Sequence, residues 1–357
     1  MAELAEIPFV DHHCHSLRGT WTTAGGDPPG WRRCFTEATD PVTLARHVPW
    51  LVGYRRFLSA MATRLGLELG EDLEHRVLAR RDELAAADPA GYLSGLLDDA
   101  GVTALLVDTG FGGPDTLGLA DLAVIGGRPA REVVRVESVA QELLAGGGPA
   151  ASGLDRFAEA FEDRLVHALD GGAVALKSVA AYRTGLALPR PRPADARRAF
   201  TGLNRARQAL RLDDQTLVAF LLWRTAELAA QRCVPLQIHT GFGDADLDLR
   251  LADPALLRPL LRDPRTQGCP VVLLHCYPFV AQAAYLAGVY PQVWMDLSLA
   301  IPLAQPLAAR LVGEALGLCP ATKLLAATDG HSYPEMHWWA AHTWRHALAQ
   351  NPDAAEA

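Results

Sequence analysis

Two histidines one residue apart, His13 and His15, end the apolar run Phe9-Val10-Asp11-His12-His13-Cys14-His15. Side chains alternate across a strand, so this spacing aims both imidazoles to one side, where they can grip one metal ion together. Three further apolar runs end in a residue of similar competence: His239 in Gln237-Ile238-His239-Thr240-Gly241, His275 in Leu273-Leu274-His275-Cys276-Tyr277, and Asp329 in Ala327-Thr328-Asp329-Gly330. Two neutral imidazoles from the first run, a third from His239 and the Asp329 carboxylate form a nitrogen and oxygen donor set. Such a set suits Zn2+, with Mn2+ or Fe2+ as alternatives. An ion of this kind lowers the pKa of bound water toward neutrality and polarises a substrate oxygen, while Asp329 can accept the water's proton and pass it to a leaving group. Taken singly, each residue has a plainer explanation, a hydrogen-bonded core histidine or a turn aspartate before glycine. Strand end after strand end offering the same chemistry outweighs it.

The chain carries 33 Lys and Arg, yet only Lys177 and Lys323 are lysine. Arginine serves wherever any positive charge will do, so a lysine inside the apolar run Val174-Ala175-Leu176-Lys177-Ser178-Val179 is a candidate for chemistry that guanidinium cannot perform. A lysine amine reacts with carbon dioxide to give a carbamate, an anionic bridge between two metals. The alternatives are an amine that contacts substrate or tunes bound water, and a snorkelling or salt-bridged lysine. Tyr182 and Arg183 follow at the exit of the same run as candidate substrate-binding residues, the guanidinium fork matching a carboxylate. A surface role for Arg183 is the alternative. Asp11, two residues before His13, either shares its strand face or supports the ligands from behind.

These residues need elements to position them. Apolar runs bounded by turn signals predict eight strands: Ile7 to His15, Thr103 to Gly110, Val133 to Ser138, Ala173 to Ala181, Pro235 to Thr240, Pro270 to Cys276, Gln292 to Leu297 and Lys323 to Asp329. Helix-like stretches lie between most of them, including Asp155 to Leu169, Asp214 to Gln231, Asp253 to Leu261, Ala281 to Val289 and Gln305 to Leu316. Eight alternating units predict an α/β fold, a (β/α)8 TIM barrel, whose sites are built at the C-terminal ends of the strands. Residues 16–100 exceed one loop and one helix. Their helix-like pieces, Thr43 to Leu65 and Glu71 to Ala87, predict a helical insertion that leaves the first strand beside the histidines as a wall or lid; a peripheral subdomain is the alternative. The Pro- and Arg-rich stretch Pro189 to Arg198 is expected to be an exposed, mobile loop.

A single domain over residues 1–357 accommodates this arrangement. A formal charge of −8 and the lack of a basic run with interleaved aromatics argue against nucleic acid. The N-terminus Met1-Ala2-Glu3-Leu4-Ala5-Glu6 has neither a basic n-region nor a long apolar stretch, so no signal peptide or membrane span is expected and a cytoplasmic location follows. The six cysteines, Cys14, Cys34, Cys233, Cys269, Cys276 and Cys319, include no Cys-x-x-Cys pair and are read as reduced. Cys14 and Cys276, as strand neighbours of candidate ligands, should face away from them as packing residues.

The filled positions His13, His15, Lys177, His239, His275 and Asp329, in that order along nearly the whole chain, resemble the amidohydrolase superfamily. With the first strand so close to the N-terminus, no β-sandwich is expected before it. The chain looks like the amidohydrolase-related branch that includes uronate isomerase-like and decarboxylase-like proteins. The stretches Leu176 to Leu186, Pro235 to Asp244 and Thr328 to Gly330 resemble the amidohydrolase domain fused to a glutamine synthetase-like domain in some fungal and plant proteins. A lone barrel, a homo-oligomer or a separate glutamine synthetase-like partner is compatible with the absence of that second half. The resemblance implies one or two divalent ions. In a two-ion pattern Lys177 is a carboxylated bridge and His275 a ligand; in a one-ion pattern His275 is a catalytic acid or substrate contact. The implied function is hydrolysis of a C–N bond in a small, polar, carboxylate-bearing substrate by metal-activated water, with Asp329 and His275 catalytic. Non-oxidative decarboxylation or isomerisation on the same barrel is the alternative, and a non-catalytic metal-binding scaffold is the third reading.

Overall fold

Seven of the apolar runs become strands: β1 Phe9–Cys14, β2 Val102–Asp108, β3 Ala130–Arg135, β4 Ala175–Ser178, β5 Leu236–His239, β6 Val271–Leu274 and β7 Val293–Met295. They form one sheet in the order of the chain, each paired in parallel with its neighbour. Every residue of β4, β5 and β6 is buried, as a parallel sheet covered on both faces requires. The computed structural model describes residues 7–25, 29–113, 115–203 and 205–351; residues 1–6, which bear the N-terminal reading above, lie outside it. Among the described residues no helix is long and apolar enough to cross a membrane.

The expected eighth strand, Lys323 to Asp329, is not a regular strand. Lys323 closes a 3-10 turn, and a single bridge joins Leu324 to Met295. Further on, the Thr328 N–H bonds the Asp11 carboxylate at 2.8 Å instead of a backbone ladder, and Asp329 has a left-handed φ of 51°. The segment nevertheless bonds both edges of the sheet: Leu325 N–H donates to Met295 O at 2.8 Å and Asp329 N–H to His13 O at 3.0 Å. The sheet therefore curls until β7 and β1 face one connecting segment.

The longer helices are α1 Val52–Arg64, α2 Leu73–Ala87 and α3 Pro89–Asp99 between β1 and β2, then α4 Leu119–Gly126 before β3. They continue with α5 Val136–Gly146 and α6 Leu154–Asp170 before β4, α7 Pro193–Gly202 and α8 Gln215–Arg232 before β5, α9 Val280–Val289 before β7, and α10 Ala308–Leu316 and α11 Pro334–Ala349 after it. The third strand lies earlier than expected, because Val136, Ala140 and Leu144 recur at helical spacing and bury one face of α5. The stretch expected as a helix from Thr43 is broken at Pro49, and α1 starts afresh at Val52. The loop expected at Pro189 to Arg198 is helical from Pro193 onward, with that proline at the first turn, where its missing N–H costs nothing. In α8, Asp214 caps Leu217 N–H at 2.9 Å, which fixes the helix start.

Residues between β1 and β2 are packed onto the body of the fold. The Trp31 and Phe57 rings meet edge to face at 4.9 Å, and Phe57 meets Trp339 of α11 at 5.8 Å. Arg81 of α2, fully buried, donates to Glu335 of α11 at 2.7 Å, and Tyr92 adds a hydrogen bond to the same carboxylate oxygen at 2.8 Å.

Candidate metal centre

Pairing between β1 and β2 advances three residues on β1, from Asp11 to Cys14, for two on β2, from Leu105 to Val107. This bulge sits at the histidines, where a local change of twist re-aims side chains. His13 Nε2 and His15 Nε2 both end 3.2 Å from one oxygen, Oδ1 of Asp329. That oxygen is buried and has no aligned hydrogen bond, an arrangement that suits a cation shared with the two nitrogens. His13, His275 and Asp329 bring ligand atoms within 4.8 Å of one another. The His239 ring lies tilted 4.4 Å from that of His275, and Lys177 Nζ lies 3.1 Å from His13 Nε2. The structure thus brings all six expected strand-end residues into one cluster.

Their partners fix which ring nitrogen is available. His15 Nδ1 meets Asp108 O at 3.2 Å and His239 Nε2 meets Phe242 O at 3.1 Å. A carbonyl only accepts, so each of these nitrogens carries the proton and the other keeps its lone pair. His275 Nδ1 lies 2.8 Å from Ser298 Oγ, whose own proton is taken by Asp296 Oδ1 at 2.9 Å. These short contacts outweigh the Leu299 N–H at 3.3 Å, so Nδ1 donates to Ser298 and Nε2 is the free donor atom.

Burial keeps His13, His239 and His275 neutral. It lowers His13 to about 4, with the Lys177 charge adding to it. His239 falls well below its usual value through burial and then Lys177, and His275 does so through burial against the opposing pull of Asp329. Burial alone would raise Asp329, but His275, His13 and His15 hold it well below the ordinary carboxylate range. Lys177 is pushed down to about 8 by burial, despite the favourable field of Asp108.

The loops at the strand ends are held tightly. Asp296 Oδ1 accepts from His275 N–H at 2.6 Å, which stabilises a left-handed backbone at His275 (φ 68°) and Cys276 (φ 57°). Gly241 has φ 75°, and a Cβ there would stand 2.2 Å from Tyr277 O. Only glycine lets the loop after β5 close on the loop after β6, which also sets the Phe242 carbonyl against His239. Asp11 supports the centre from below, as one of the two sequence readings had it: its carboxylate takes both the N–H and the hydroxyl of Thr328, next to Asp329. Cys14 and Cys276 are buried and bond backbone carbonyls, Leu106 O and Leu273 O.

Above the cluster lies a cavity of about 430 Å³, within the size range of small-molecule sites. His15, Lys177, His239, His275 and Asp329 line its floor, and Tyr182 and Arg183 its wall, where the Tyr182 ring stacks on His239 at 4.3 Å. The sequence reading missed several residues here. Asp108 ends β2 and pairs with Arg135 at 2.6 Å; Asp296 follows β7. Both carried the strand-end signal that exposed Asp329. Arg33, from the short 3-10 helix Gly30–Phe35, and Thr36 and Glu37, from the irregular chain after it, reach the cavity before α1, where periodicity offers no signal.

Comparison with known proteins follows the same outline. The chain is 31% identical to the protein fluG of Emericella nidulans over 96% of its own length but spans only 42% of that relative. It superposes on a Lactobacillus casei protein described as a metal-dependent hydrolase with a TM-score of 0.84 and 30% identity, covering 97% of this chain and 88% of that one. Uronate isomerase of Thermotoga maritima shares the fold at a TM-score of 0.68 and 14% identity, over 99% of this chain and 89% of that one. The amidohydrolase family model matches residues 10–349, nearly the whole length of the chain, which therefore belongs to the amidohydrolase family.

Proposed function

We propose that this enzyme hydrolyses a C–N bond of amide type in a small, polar, carboxylate-bearing molecule. The observation that carries the proposal is the convergence of His13 and His15 on the unpartnered Oδ1 of Asp329 at the floor of a cavity. When bound, a divalent ion of the zinc class acidifies water and polarises a carbonyl. His13, His15 and Asp329 would hold one such ion, and His239 and His275 a second, with Lys177 as a carboxylated bridge. The buried lysine amine beside His13 and the lone pairs left free on His239 and His275 support two ions over one.

Asp329 Oδ2 is the proton carrier. It takes a proton from the attacking water as the C–O bond forms and gives it to the nitrogen as the C–N bond breaks, so that the amine leaves neutral. Arg183 holds the substrate carboxylate, and Tyr182 packs against its body. The segment Leu324 to Asp329 serves as the eighth stave of a (β/α)8 barrel, and residues 16–100 as a lid, a reading that the position of Arg33, Thr36 and Glu37 in the cavity wall supports. Six free cysteines fit a reducing compartment such as the cytoplasm.

The test is to load the protein with Zn2+ and incubate it with carboxylate-bearing amides in water labelled with heavy oxygen. Amine or ammonia release with label in the new carboxylate is expected. Isomer formation or carbon dioxide release without consumption of water would replace hydrolysis by the isomerase or decarboxylase reading.

A further inference from the structure

The cavity over the metal centre is lined by charged groups, some of which have no hydrogen-bond partner among the described residues. Among them are Glu37, from the chain before α1, and Asp244, from the loop after β5. Glu37 forms no hydrogen bond or ion pair with any described residue, and Asp244 accepts only a backbone amide, Asp246 N–H, at 2.9 Å. Glu37 feels the charges of Asp329 and Asp244, and its carboxyl is pushed up to about 7 by burial and then by these neighbours. Two carboxylates in a half-closed cavity repel each other until a cation joins them.

Four arginines line the same cavity, Arg33 among them from the chain just before Glu37. Arg135 is committed to Asp108 at 2.6 Å, and Arg211 to Tyr182 O at 2.9 Å and Asp246 at 3.1 Å. Arg183 has no such hydrogen bond: its Nε is buried without a partner, and after burial the carboxylate of Glu137 weighs most on it, opposed by Arg211 and Arg135. A buried guanidinium N–H without an acceptor is costly unless a ligand supplies one. Among the described residues the cavity thus offers a Glu37 carboxyl without a hydrogen-bond donor and an Arg183 Nε without an acceptor.

We infer that the cavity recognises a zwitterionic amino-acid head group, with the substrate's ammonium received by Glu37 and Asp244 and its carboxylate by Arg183. The side-chain amide of the same molecule is then the group offered to the metal centre, which rests on the hydrolytic reading above. Glu37 and Asp244 are specificity-determining residues in this assignment. They discriminate a free amine from a blocked one, whereas Arg183 discriminates a carboxylate from its amide.

Calorimetry on the metal-loaded protein tests this with L-asparagine and L-glutamine, each against its N-acetyl and α-carboxamide derivatives. The free zwitterion of at least one pair should bind about tenfold or more tighter than either blocked form, the worth of one charge-assisted hydrogen bond. Glu37→Gln should erase the preference for the free amine and keep that for the carboxylate, and Arg183→Gln should do the reverse, both variants melting no lower than the parent. Equal binding of free and blocked forms, no binding of any probe, or loss of both preferences in either variant overturns the assignment. Ammonia release, followed in parallel, separates this idea from the one beneath it. Head-group selectivity without ammonia release rejects amide hydrolysis alone, and ammonia release without selectivity rejects the head-group assignment alone.

Discussion

Two clusters of histidine and carboxylate lie one above the other at the end of β1, and both bring three ligand atoms within 4.8 Å: His13, His275 and Asp329 above, and Asp11, Cys14 and His337 below. In the lower cluster both Asp11 oxygens are taken by Thr328, and His337 Nδ1 stands 3.5 Å from the carboxylate. Burial, with Asp11 adding to it, pushes the Cys14 thiol far up, so it offers no thiolate. In the upper cluster Asp329 Oδ1 has no aligned donor, the imidazoles keep lone pairs, and a cavity opens above. Donor type and spacing therefore do not define a metal centre. An unsatisfied carboxylate with access to a cavity does, and the Asp11 to Thr328 hydrogen bonds beneath are the support that positions it.

The comparison can be broken most sharply at Asp329. Asp329→Ala should lower kcat/KM by about 10³-fold or more and reduce bound metal, while the fold persists; stoichiometric metal with near-normal turnover would show that the upper cluster is not the centre. Asp11→Ala should do the opposite, lowering stability by about 2–4 kcal/mol because Thr328 loses its acceptors in the interior, as read from the denaturant midpoint. Folded Asp11→Ala protein should keep its metal, and selective loss of metal at unchanged stability would exchange the two roles. Lys177→Ala should roughly halve the metal content measured by elemental analysis, and an unchanged content would leave a single ion.

The smallest effect concerns charge. Glu37 has a folded pKa of about 7, raised from 4.5, so the folded state holds its proton longer than the unfolded one, and stability falls as pH rises between those values. Relative to the parent, Glu37→Gln should therefore gain about 1–3 kcal/mol on going from pH 4.5 to pH 8. A gain of this sign marks a residue kept for binding rather than for folding. A destabilised Glu37→Gln variant at pH 8 would move Glu37 to the structural side of the comparison.

How much of this was legible beforehand follows from the same contrast. His13, His15, His239, His275 and Asp329 stand where apolar runs stop, and a polar ligand after a buried strand is visible in one dimension. The order of the strands was legible too, because consecutive parallel strands need the intervening helices. Glu37 and Asp244 were not, since they sit in irregular loops whose approach to the cavity depends on tertiary packing. The segment Lys323 to Asp329 was expected as a regular strand because Ala327-Thr328-Asp329 reads as one, while the Thr328 N–H goes to a side chain on β1 and not to a backbone ladder. The helix at Pro193 was masked by the prolines and arginines of Pro189 to Arg198, which resemble a loop until the last proline, Pro193, is recognised as a helix start.

The Asp11 to Thr328 contact joins residues 317 positions apart, and the Arg81 to Glu335 pair joins residues 254 apart. Contacts of such separation must repay the closure entropy of nearly the entire chain, so they form late in folding. During synthesis the first strand and the helical segment after it leave the ribosome long before the partners that hydrogen-bond Asp11 and Arg81 exist. The early part of this chain therefore spends its first moments with buried-to-be charges still in water. The segment from Leu324 to Asp329 can meet β1 only after almost all of the intervening chain has been made, so the candidate metal centre is joined from the two ends of the fold.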